Sequence, residues 1–153
     1  RMITARSEPV FGGVYKLAAI QDKATGEFIP KIKLSENAEK ITNPGNKTIR
    51  RIYDKENGKI IADLICLIDE EYDTLLAPDT YTMREMMIPV FLKGECVYES
   101  PKVMDIQKYC KSELATLWEE SLRLEYPHRV HVDLSKPLWD MKNGLLDSYH
   151  YHK

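Results

Sequence analysis

Four histidines, three cysteines, two runs of carboxylates and one basic cluster are the side chains of this sequence that could do chemistry. His128 and His131 stand three residues apart and His150 and His152 two apart, spacings at which imidazoles can share a metal ion. His128 and His131 flank Arg129-Val130 between the helix-breaking Pro127 and a strand, so the chain need not bring them together. No carboxylate or thiolate stands at ligand spacing beside them, and no metal ligand is expected. Asp69-Glu70-Glu71 and Glu119-Glu120 could in principle share acid–base work. Each run is adjacent in sequence and follows or interrupts an apolar pattern, which reads as a solvated loop and a solvated helix face. Lys33, Lys40, Lys47, Arg50 and Arg51 could contact an anion, but Glu36 and Glu39 interleave them, and a charged edge that discourages sheet-to-sheet association is the better reading. Gly12-Gly13 would cradle a phosphate only if it opened a helix; Val14 onward reads as strand, so a turn or close backbone packing is expected. Cys66, Cys96 and Cys110 sit among apolar neighbours and are expected as buried, reduced thiols, with Cys96 in the core.

The elements that must hold these groups are legible in the hydrophobic pattern. Val14 to Ile20 and Phe28 to Leu34 flank a turn-rich stretch and read as a hairpin, with Pro30 confining the second strand to an edge or to the residues after it. Ser35 to Asn46 holds a single helical turn at most, before the Pro44-Gly45 turn. Thr48–Tyr53 and Lys59–Ile68 flank Asn57-Gly58, a pair that accepts positive φ at both turn positions, and Ile60–Ile68 is apolar enough to be a central strand. Glu85–Leu92 and Glu95–Tyr98 form a third hairpin about Lys93-Gly94. A long helix is expected from the Ser100-Pro101 cap to Pro127, its apolar stripe running through Val103, Ile106, Cys110, Leu114 and Leu117 onto the sheet. A second starts at Ser135-Lys-Pro137 and presents Leu138, Met141, Leu145 and Tyr149. Strands first and helices last describe an α+β fold: a mostly antiparallel sheet built from hairpins, followed by two C-terminal helices.

Hydrophobic residues at 43% and charged residues at 30% are enough for a folded core in 153 residues. A formal charge of −2, spread along the chain, leaves no basic stripe for a phosphate backbone, so nucleic acid is not an expected partner. Neither a membrane span nor a secretion signal is expected, and an odd number of widely spaced cysteines favours the cytoplasm. The chain opens on Arg1 and runs directly into structured sequence, from which a preceding segment is expected.

Phe11-Gly-Gly-Val-Tyr-Lys-Leu17 followed by Pro30-Lys-Ile-Lys-Leu-Ser-Glu-Asn-Ala-Glu-Lys-Ile-Thr-Asn-Pro-Gly-Asn-Lys47 resembles the signature stretch near the C-terminal end of nicotinate phosphoribosyltransferases. Tyr81-Thr-Met-Arg-Glu-Met-Met-Ile-Pro-Val-Phe-Leu-Lys-Gly94 and Val132-Asp-Leu-Ser-Lys-Pro-Leu-Trp-Asp140 extend the resemblance over essentially the whole chain. It implies a parent enzyme that moves a phosphoribosyl group from phosphoribosyl pyrophosphate to nicotinate in NAD salvage. In such an enzyme, of ligase or glycosyltransferase type, ATP hydrolysis is coupled through a phosphorylated histidine and magnesium accompanies the phosphates. It further implies an upstream α/β barrel that carries the catalytic centre, a homodimer, and a role for this chain as the C-terminal cap of the barrel. Residues 1–20 would be the last barrel-linked segment and 21–153 the C-terminal α+β domain. None of the four histidines matches the family's catalytic one, so no catalytic, cofactor-binding or metal-binding residue is assigned to this chain, which alone is expected to be inactive. The alternative is a free-standing, non-catalytic binding or scaffold module of the same fold. Two expectations separate them: a barrel-length sequence preceding Arg1, and an exposed apolar patch around Val10 to Leu17.

Overall fold

The computed structural model describes residues 13–71 and 79–149. The chain divides into two compact units, Arg1–Gly45 and Asn46–Lys153. The boundary expected at residue 20 lies inside the first strand.

The first unit is a small hairpin with a capped turn. Strand β1 (Ala19–Gln21) pairs antiparallel with β2 (Phe28–Pro30), Ala19 opposite Pro30. Each strand is an edge, which is where a proline lacking its N–H can sit. Both are shorter than the apolar runs implied, and Val14–Leu17 is not strand. Asp22 shapes the turn by accepting hydrogen bonds from Ala24 N and Thr25 N at 2.7 and 3.0 Å, and these backbone donors hold its carboxyl below the usual range. Beyond β2, a single 3-10 turn over Ala38–Lys40 is capped by Asn37, whose side chain accepts from Glu39 N. Ile41, Thr42 and Pro44 are buried, and Gly45, at φ +89°, returns its N–H to the Ala18 carbonyl.

The second unit is built on a four-stranded sheet. Strand β3 (Lys47–Asp54) pairs antiparallel with β4 (Ile60–Leu67) on one side and with β5 (Tyr81–Glu85) on the other. Strand β8 (His131–Leu134) closes the far edge parallel to β4, giving the order β5-β3-β4-β8. The hairpins are antiparallel as expected, β4 is central as expected, and the parallel β8 makes the sheet mixed. The β3–β4 turn differs from expectation: only Gly58 has positive φ, at +69°. Asp54 instead organises a wider loop, its Oδ1 accepting from Glu56 N at 2.8 Å while Gly58 N returns to the Asp54 carbonyl at 2.8 Å. A turn with two positive φ values occurs at Lys93 (+52°) and Gly94 (+87°), joining β6 (Phe91–Leu92) to β7 (Glu95–Cys96). That hairpin is its own two-stranded sheet, and Glu85, expected in it, belongs to β5.

The first helix is shorter than its periodicity predicted. Helix α1 covers Val103–Ala115, with Lys102 rather than Ser100 as its N-cap. It stops well before Pro127 because β4 captures its last turn. Lys59 Nζ donates to the carbonyls of Ala115 and Leu117 at 3.0 and 2.8 Å, Ile60 N to that of Thr116 at 2.9 Å, and Trp118 Nε1 to that of Ile60 at 2.7 Å. Carbonyls that a continuing helix would have used are satisfied across the fold, and the chain resumes as a short 3-10 helix over Glu119–Leu122. Helix α2 (Lys136–Ser148) begins where the sequence placed it: Ser135 is the N-cap, its Oγ accepting from Leu138 N, and Pro137 sits in the first turn. It packs across β4; among the described residues of this unit the buried apolar side chains are Ile52, Tyr53, Ile60, Cys66 and Leu138.

Candidate functional site

Among the described residues, a network of four charged side chains lies where α1 meets the sheet. Arg51 on β3 and Asp63 on β4 are cross-strand partners, and the guanidinium grips the carboxylate at 2.7 and 2.8 Å. One strand over, Arg84 on β5 stands opposite Arg51 and makes the same two-pronged contact with Glu113 of α1, at 2.8 and 2.5 Å. Glu113 also faces Arg51 at 3.8 Å, so two guanidinium and two carboxylate groups form one balanced network. The bond from Arg84 holds the Glu113 carboxyl below its ordinary pKa, and the carboxylates raise both arginines further. Arg84 also stacks over the Tyr53 ring at 5.3 Å. Burial pushes the Tyr53 hydroxyl up. The positive charges of Arg84 and, more weakly, Arg51 offset part of that rise.

A groove of about 330 Å³ runs over this network, walled by Ile60, Ile106, Tyr109, Cys110, Leu114 and Leu117, with Arg51 and Glu113 at its floor. Every charge in the network has an opposite partner, so its work is to pin α1 to the sheet; it offers no spare cation for a phosphate or carboxylate. A second clamp ties the end of β4 to α2. Glu70 Oε1 accepts from Leu67 N at 2.7 Å and from Ser135 Oγ at 2.6 Å, while its own carbonyl takes Arg50 Nη1 at 3.2 Å.

These contacts correct several expectations. Glu70 is a structural acceptor, not a solvated loop residue. Arg50 and Arg51 lie half-buried on the interior strand β3, bound to carboxylates and not on a solvated edge; Lys33 and Lys40 lie in the first unit. Of the cysteines only Cys66 is buried; Cys96 and Cys110 are exposed, because β6–β7 and α1 present those faces outward. Among the described residues nothing stands where a Cβ on Gly13 would project, and Gly12 lies outside the described residues. His128 and His131 do line one groove, of about 290 Å³, with Arg129, Trp118, Glu120 and Ser121. His128 N binds the Glu120 carbonyl, and His131 Nε2 lies 3.6 Å from Asp133. His150 and His152 fall outside the described residues. Among the described residues no three His, Cys, Asp or Glu converge as a metal would require. The carboxylates of Asp63, Glu113 and Glu70 are held by arginine, serine and backbone donors.

The family of nicotinate phosphoribosyltransferase C-terminal domains matches residues 46–142. The chain belongs to that family. The match opens on Asn46, the residue at which the second compact unit begins. Over 93% of its length the chain is 34% identical to a nicotinate phosphoribosyltransferase of Bacillus subtilis, of which it covers 31%. It is 29% identical to one from Dictyostelium discoideum and 27% to the human one, covering 28% of each. The crystal structure of human nicotinic acid phosphoribosyltransferase shares the fold, with a TM-score of 0.54 at 20% identity over 67% of this chain and 23% of that one. The chain thus spans less than a third of the length of these family members. The family assignment made from the sequence motifs stands, as does the α+β class.

Proposed function

We propose that these 153 residues are the C-terminal part of an enzyme that forms nicotinate mononucleotide and pyrophosphate from nicotinate and phosphoribosyl pyrophosphate, coupled to ATP hydrolysis, in cytoplasmic NAD salvage. The observation that carries the reading is the family match over residues 46–142. The chemistry needs a basic group for the nicotinate carboxylate, donors for the phosphates and stabilisation for an electron-poor ribose carbon. The charged groups described above are committed to pinning α1 and α2, so we assign that chemistry to an α/β barrel elsewhere in the protein and to its homodimeric assembly. This chain's role is that of a cap on the barrel, with no catalytic residue of its own. Residues 1–20 then form the barrel-linked segment. Among the described residues no helix is long and apolar enough to cross a membrane.

The test is turnover with nicotinate, phosphoribosyl pyrophosphate, magnesium and ATP, read as nicotinate mononucleotide. The full-length protein that carries these residues is expected to be active and the 153-residue chain to stay at background. Product from the short chain would refute its non-catalytic role, and an inactive full-length protein would refute the enzyme assignment.

A further inference from the structure

We infer that residues 87–112, the β6–β7 hairpin with the N-terminal three-quarters of α1, are the surface on which the rest of the full-length protein docks. The inference rests on the reading above and identifies the face through which the cap is held. Every residue from Met87 to Ser112 is exposed, a run of backbone that includes a complete hairpin and most of a helix. Large apolar side chains stand exposed along it between charged ones: Met87, Phe91, Val103 and Met104 are 57, 66, 79 and 62% exposed, with Ile106 and Tyr109 at 50 and 57%. Val103, Ile106 and Cys110 recur at helical spacing, so α1 has an apolar stripe that the sheet leaves uncovered. Among the described residues, the side-chain hydrogen bonds that tie α1 to the sheet come at its last turn, from Arg84 to Glu113 and from Lys59 to the Ala115 carbonyl.

An isolated two-stranded hairpin is marginal in water, and among the described residues β6 and β7 pair only with each other. Large apolar side chains exposed in such number along one segment mark a protein interface. Its occupant follows from length: family members carry more than twice as much chain again outside the region matched here, all of it in the same polypeptide. Covalent linkage gives that chain a high effective concentration, an advantage a second copy lacks. Of the patch expected around Val10–Leu17, Val14, Tyr15 and Leu17 are exposed, and Val10 to Gly12 lie outside the described residues.

Two thiols report on the surface without any substitution, since Cys96 lies in β7 and Cys110 on the stripe of α1, while Cys66 is buried and serves as the internal control. Alkylation by a small maleimide is followed site by site by mass spectrometry on the 153-residue chain and on the full-length protein. In the short chain Cys96 and Cys110 are expected to react at least about tenfold faster than in the full-length protein, with Cys66 slow in both. Equal reactivity in the two forms overturns the proposal. Protection that appears in the short chain as its concentration rises also overturns it, in favour of a second copy. A paired variant, Phe91→Glu with Val103→Glu, is expected to leave the melting temperature of the short chain unchanged and to restore thiol reactivity in the full-length protein. Persisting protection there counts against the surface. Turnover measured on the same full-length preparation separates the two claims, because reactive thiols in an active enzyme sink the docking surface alone, and protected thiols in an inactive one sink the enzyme assignment alone.

Discussion

Replacing Ser135 by alanine removes one oxygen that serves two elements. In the folded chain Ser135 is 3% exposed, and its Oγ accepts from Leu138 N at 3.3 Å while donating to Glu70 Oε1 at 2.6 Å. Loss of an N-cap acceptor costs about 1 kcal/mol. Loss of a hydrogen bond to a charged group costs about 1.5–3 kcal/mol. Glu70 keeps the Leu67 N–H at 2.7 Å, so its carboxylate is not stranded and the lower part of that range applies. The expected sum is about 2–3 kcal/mol. In urea, with a slope of about 2 kcal/mol/M for a domain of this size, the midpoint should fall by roughly 1–1.5 M with the slope unchanged. Ser135→Thr, which keeps a hydroxyl, should lose less than half as much. A double-mutant cycle with Glu70→Gln should show a coupling above about 0.5 kcal/mol, since the two side chains share one bond. A loss below about 0.5 kcal/mol for Ser135→Ala, or equal losses for alanine and threonine, would refute the claim that this hydroxyl joins β4 to α2.

Two further outcomes follow from the packing and the charge network. Leu138 of α2 is fully buried, and Leu138→Ala should cost about 2–5 kcal/mol in the same urea titration, whereas Tyr149→Ala, 62% exposed, should cost almost nothing. Glu113 has its carboxyl pKa lowered by Arg84, so its contribution is present above the unfolded-state pKa and is lost as pH falls through the folded one; stability followed from pH 6 to 3 should drop, and Glu113→Gln should flatten that drop. An unchanged acid slope in the variant would remove the Arg84–Glu113 bond from the account of how α1 is held.

The features readable from sequence are those set by neighbours in the chain. Ser135-Lys-Pro137 places a cap and a proline where any helix would want them, and the apolar run from Ile60 predicts a central strand; the cap appears as expected, and the strand is central but ends at Leu67. The motif strings around Gly13, Pro44 and Lys93-Gly94 were enough to name the family. What lay out of reach depends on partners distant in sequence. Helical periodicity runs on past Ala115, but it cannot show that Lys59 and Ile60, more than fifty residues earlier, consume the carbonyls that would have carried the helix further. Arg51 and Glu70 look like solvated charges until the sheet sets Asp63 beside one and Ser135 beside the other. The same apolar spacing in α1 predicted a buried Cys110, because amphipathicity tells which side of a helix is apolar and not whether this chain covers it. Local propensity and capping are short-range energies that a sequence states directly. Which charges are paired, where a helix is cut and which apolar stripe remains bare are decided only when the tertiary fold brings distant groups together.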